Sequence, residues 1–187
     1  MGYTTEFSGT FKLNKKLDDE TFKFLCRFNE TRRMKFKIGR EYGVDGEFFV
    51  GHHEDFDSGA QFGQVDTNFP GLIDYNKSPS TQPGLWCQWR PTEDGMGIEW
   101  DGGEKFYEYV PWIKYIITNF LEPKGYKLSG EVMWEGEERS DTGTIFIRDN
   151  VVTAVDSESE LEYLRKENAQ LKNSIADMIL LADETEG

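Results

Sequence analysis

The chain has no apolar run approaching the ~18 residues that cross a bilayer. Its opening residues, MGYTTEFSGTFKLNKK, contain neither the apolar centre nor the small-residue cleavage site of an export signal. The expectation is a cytoplasmic protein without membrane association. Glu6 stands where N-myristoylation of Gly2 requires Ser or Thr, which excludes that anchor. Cysteine is nearly missing: Cys26 lies in an amphipathic segment and Cys87 among tryptophans, contexts that suit buried reduced thiols rather than a disulfide framework. Histidine is limited to the adjacent pair His52 and His53.

That scarcity restricts the chemistry. His52 and His53, beside Glu54, Asp55 and Asp57, are the only weak candidates for a divalent metal, since imidazole and carboxylate suit zinc, iron or manganese. Adjacent residues of an extended segment point apart and the spacing matches no metal motif, so neither a metal nor a cofactor is expected. A Ser-His or Cys-His nucleophilic centre is equally hard to assemble. No GxxxxGK[ST] and no strand-GxGxxG-helix pattern occurs, and at Gly102-Gly103 the flanking Asp101 and Glu104 compete with any anion.

Basic charge is also in short supply. Among 187 residues, 21 Lys and Arg face 35 Asp and Glu, for a net charge of −14. The distribution is uneven: residues 1–40 hold ten basic and five acidic side chains, 41–155 hold eight and 21, and 156–187 hold three and nine. An acidic field repels phosphate, so direct nucleic-acid binding is disfavoured. The aromatic share, 14%, is too high for a disordered acidic chain and suffices for a packed core.

Hydrophobic period locates the elements. Phe7, Gly9, Phe11 and Leu13 alternate with polar residues as in a half-buried strand. A helix follows, with Asp18 as its cap, Asp19 and Glu20 at the positive end of its dipole, and Arg32 and Arg33 at the other. Residues 41–84 are rich in Gly, Asp, Asn, Ser and Pro and read as a partly ordered insertion, with one short apolar run at 47–50. Residues 85–89 and 96–100 form a predicted hairpin, and the stripe from Phe106 to Leu121 a helix that Pro111 kinks or restarts. Three strands in meander order close the body, with Asp149-Asn150 as the turn between the last two. The element order predicts an α+β fold, a ferredoxin-like βαββαβ sandwich with an extra C-terminal strand, over residues 1–155.

Residues 156–187 differ in kind. Leu161, Leu164, Asn168, Leu171, Ile175, Met178 and Ala182 are spaced alternately three and four apart, the a and d positions of a coiled coil. Asn168 at a central a position favours a parallel dimer, and Glu160 and Glu167 at g face Arg165 and Lys172 at the e positions of a partner helix. An amphipathic helix folded back onto the body is the alternative, although such helices carry a wider apolar stripe.

The candidate binding residues are aromatic and acidic: Trp86, Trp89, Trp100 and Tyr107 with Glu99, Asp101, Glu131 and Glu135. Carboxylates beside aromatic faces suit a cationic or amphipathic partner. As a catalytic acid and base they would need a set separation across a cleft, which spacing along the chain does not supply. A competing expectation is a small-ligand site, nucleotide-like or cationic, or an enzyme pocket, between residues 85–101 and the 41–84 loop.

The blocks QPGLWCQW at 82–89, GIEWDGGEKFY at 97–107 and GEVMWEGE at 130–137 resemble a family of small proteins of bacterial and phage genomes that has no assigned activity. The resemblance covers roughly residues 3–155, with the zipper-like tail as an addition. It implies a bacterial or phage origin and transfers no catalytic residue. By analogy with small acidic phage proteins, the expectation is a non-enzymatic homodimer that binds a host protein and inhibits or sequesters it.

Overall fold

Asp18 begins the first helix as its neighbours require: its carboxylate accepts from the Thr21 amide at 2.7 Å and the Thr21 hydroxyl at 2.8 Å, closing the N-terminus of α1 (Asp19–Glu30). Leu25 and Phe28 face inward, while Lys23 and Arg27 stay in solvent. In the computed structural model, residues 2–51, 71–157, 159, 161, 165–172 and 175 are described. The chain is α+β with an antiparallel sheet. Its strands are β1 (Thr5–Gly9), β2 (Phe11–Leu13), β3 (Lys35–Phe36), β4 (Leu72–Asp74), β5 (Trp89–Pro91), β6 (Gly97–Trp100), β7 (Leu128–Gly136), β8 (Thr142–Arg148) and β9 (Val151–Asp156).

The main sheet runs β5-β6-β2-β7-β8-β9, with β1 also paired to β7, and every pairing is antiparallel. The first predicted strand is therefore two. Gly9, at φ 115°, breaks it, because a Cβ there would lie 2.8 Å from the Glu131 carbonyl oxygen. β2 continues along β7 but also pairs with β6, whereas β1 does not. The ring of Phe7 fills the resulting split, 4.9 to 5.7 Å from the rings of Trp89, Trp100, Phe106 and Tyr109. Such edge-to-face pairs each contribute about 0.5–1.5 kcal/mol beyond the area they bury.

The second helix, α2 (Tyr109–Ile116), starts afresh with Pro111 in its first turn, where the missing amide costs no bond. Phe106 lies before it in a buried loop position rather than on the helix. A π-helical turn, Ile117–Leu121, and a 3-10 turn, Glu122–Lys124, complete it. Buried residues of α1, α2 and alternate strand positions form one core, so both helices cover the same sheet face. Asp149 and Asn150, at φ 48° and 73°, make the predicted tight turn. On β9 Val152 packs on the core, whereas Val151 and Thr153 are exposed.

Within 34–84 the described residues have a small core of their own. Met34, Phe36 and Phe49 are buried beneath Ile38, Tyr42, Leu72 and Tyr75, and β3 pairs with β4. The apolar run at 47–50 is a turn region, not a strand. Arg33 does not serve the helix dipole; it is 1% exposed, with its guanidinium against Phe28 and bonded to residues 47 and 82.

At the end of β9, Asp156 accepts from the Ser159 amide at 2.7 Å and caps the helical backbone that follows. Residues 165–172 are helical, and Leu161, Leu171 and Ile175 are each more than half exposed. Leu164 and Met178 lie outside the described residues, as do His52 and His53.

Candidate functional site

The predicted aromatic and acidic residues are scattered over several places rather than gathered in one. Trp89 belongs to the core: it is 1% exposed and its indole N–H donates to the Tyr109 carbonyl at 2.8 Å, so no partner reaches it. Trp86 lies on the insertion side, where the Arg32 guanidinium sits 5.9 Å from its ring and 4.5 Å from that of Tyr75. Trp100 and Asp101 occupy the end of β6 and are tied down. The Trp100 indole donates to Gln88 Oε1 at 3.1 Å, and Asp101 accepts from Asn29 Nδ2 and the Gly103 amide, both at 2.7 Å. Tyr107 is exposed and its hydroxyl accepts from the Tyr3 amide. Glu99 pairs with Arg90 across the β5-β6 ladder at 3.1 Å.

Glu131 and Glu135 stand elsewhere, on the sheet face that the helices leave open. Strand alternation sends Val132 and Trp134 to the core and Glu131, Met133 and Glu135 outward. The register sets Glu6 opposite Glu135, Ser8 opposite Met133, and Glu131 opposite Phe146. Among the described residues neither Glu6, Glu131 nor Glu135 joins an ion pair. Met133 and Phe146, exposed by 57% and 40%, form an apolar centre between those carboxylates, and Val151 extends it toward the sheet edge. A shallow groove of about 690 Å³ runs there between Glu131, Phe146, Arg148, Val151 and Thr153.

Sequence reasoning missed Glu6, Met133, Phe146 and Val151. The alternation of β7 and β8 carried the signal for Met133 and Phe146, since an apolar residue on a polar phase is an exposed one. Glu6 belonged to the site only through its register with β7.

Between the end of α1, the described part of the insertion and α2 lies a buried polar cluster. Arg33 Nη2 donates to the Glu47 carbonyl at 2.7 Å, Nε donates to Gln82 Oε1 at 3.3 Å, and the guanidinium carbon lies 4.2 Å from the Phe28 ring centroid. The Glu47 carboxylate accepts from the hydroxyls of Tyr115 and Thr81. Burial pulls the Arg33 side chain down to about 10, which still leaves it charged near neutrality. Burial likewise pushes the Cys87 thiol up to about 12 and raises that of Cys26, so neither resembles an activated nucleophile. No group of three or more metal-ligating side chains occurs among the described residues. Nor is any of their helices long and apolar enough to cross a membrane.

Comparison of the chain with protein families, curated proteins and solved structures finds no match.

Proposed function

We propose that this is a non-enzymatic, acidic interaction protein that acts as a homodimer, its open sheet face binding a cationic, partly apolar surface of a host protein and so inhibiting or sequestering it. The observation that carries this reading is the pair Glu6 and Glu135, held in register without a neutralising cation among the described residues, beside the exposed Met133 and Phe146. Facing like charges work against the fold, and a basic partner relieves them. The apolar centre supplies area for a desolvated contact ringed by polar groups.

The strand order β7-β2-β6-β5, with α1 and α2 as its crossings, supports reading the body as a ferredoxin-like split βαβ unit extended by β8 and β9. Exposure of Leu161, Leu171 and Ile175 supports a parallel coiled coil that covers them in a dimer. Two bodies on one coil would present two sheet faces and increase avidity. The blocks at 82–89, 97–107 and 130–137 support a phage-encoded protein acting in the host cytoplasm.

The test is affinity capture from host lysate by the full chain, by a chain ending at 155, and by the Glu6→Lys/Glu131→Lys variant, with mass spectrometry of captured proteins and co-purified small molecules. One host protein retained by the full chain, weakened by truncation and lost with the charge reversals is expected. A stoichiometric bound metabolite with no protein partner would overturn the proposal in favour of a small-ligand protein.

A further inference from the structure

On the helical side of the molecule, away from the open sheet face, a groove of about 470 Å³ runs between α1 and the π-helical turn. Phe24, Phe120 and Val50 supply its apolar surface, and Lys23, Arg27 and Lys124 its cations. The extra residue of a π-turn changes the phase of a helix, and Phe120 in this turn is only partly buried. Its ring is nevertheless held firmly, 4.9 Å from that of Phe24 and 5.1 Å from that of Phe28. Lys124 is positioned by donating to the Thr21 hydroxyl at 2.8 Å. Lys23 and Arg27, one helical turn apart and exposed, join no ion pair among the described residues. Among the described residues Glu20 is the one carboxylate lining the groove.

We infer that this groove is a second docking site, opposite in polarity to the sheet face, for an acidic peptide segment of a partner protein that inserts an apolar side chain against Phe24 and Phe120. Charge complementarity chooses the occupant. Three cations around an aromatic floor accept carboxylates and an apolar anchor together, the arrangement used when an amphipathic segment lies in a groove. A long polyanion is disfavoured, because residues 41–155, Lys124 included, hold 21 acidic against eight basic side chains. That field acts on every phosphate of a nucleic acid but on only the few charges of a short peptide.

Fluorescence anisotropy of the full chain tests this with three probes: a fluorescein-labelled Asp/Glu peptide carrying Leu and Phe on one helical face, the same peptide with Lys for every acid, and a single-stranded oligonucleotide. The acidic peptide is expected to bind saturably, more weakly as salt rises. Its affinity should fall about tenfold or more in Lys23→Glu/Arg27→Glu and less in Lys23→Ala/Arg27→Ala, with both variants keeping the far-ultraviolet dichroism of the parent. Glu6→Lys/Glu135→Lys should leave this binding unchanged, which separates the groove from the sheet face. Absence of binding, equal binding of the Lys peptide, preference for the oligonucleotide, or indifference to the α1 substitutions would each overturn the inference.

Discussion

Glu6 on β1 stands directly across from Glu135 on β7, two carboxylates in register on the sheet face that neither helix covers. Directly opposed like charges weaken a strand pair, and opposite charges there strengthen it by a few tenths to about 1 kcal/mol. Glu135→Lys should therefore raise the urea midpoint while reducing capture of a basic partner. A variant that lost stability, or gained it without losing the partner, would show that this pair is not maintained for binding.

Arg33 is a buried cation packed on Phe28 of the main core and bonded to residues 47 and 82 of the insertion. Arg33→Ala removes the donor to the Glu47 carbonyl and to Gln82, and leaves the buried Glu47 carboxylate without its nearby compensating charge. The expected loss is roughly 3–5 kcal/mol in denaturant titration. Arg33→Met, which keeps the stem against Phe28, should recover part of it.

Asp18 accepts from the Thr21 amide, the Thr21 hydroxyl and the Tyr126 hydroxyl, and these bonds hold its carboxyl well below the ordinary value of 3.8. A carboxyl whose folded pKa is depressed contributes stability that is fully present above its unfolded pKa and is lost as pH falls toward its folded one. The Tm of the parent should thus decline as pH drops below about 4. Asp18→Asn should melt lower near neutrality yet decline less on acidification, so that the two curves converge; parallel curves would contradict the assignment.

Leu161 and Leu171 fall at a and d positions of the heptad pattern, are more than half exposed on a single chain, and would meet in the proposed coiled coil. The parent is expected to sediment as the proposed dimer, and replacing both leucines with Glu should yield a monomer in sedimentation equilibrium while leaving the melting of the body nearly unchanged. A dimer that persisted would place the oligomer contact on the body instead.

Local chemistry dictated the elements whose signals are short in range. The Asp18 cap, the Asp149-Asn150 turn, the alternation of Val132 with Met133 and the helix restart around Pro111 follow from a few neighbouring residues each. The break at Gly9 did not: its cause is the Glu131 carbonyl, brought close by a strand more than a hundred residues away. Arg33 looked like a surface partner of the helix end because nothing near it in sequence reveals that residues 47 and 82 will enclose it.

The same division governs the candidate sites. Composition and spacing alone determined an acidic, aromatic-rich chain with a heptad pattern in its tail. Only the tertiary structure decided which large apolar side chains are available, sending Trp89 into the core and leaving Met133 and Phe146 outside. It also decided that Glu6 meets Glu135 and that Lys23 and Arg27 share a groove with Phe120. The physical reason is that hydrogen bonds, caps and turns are settled within a few residues, whereas charge meeting charge across a face is settled by register and packing between distant segments.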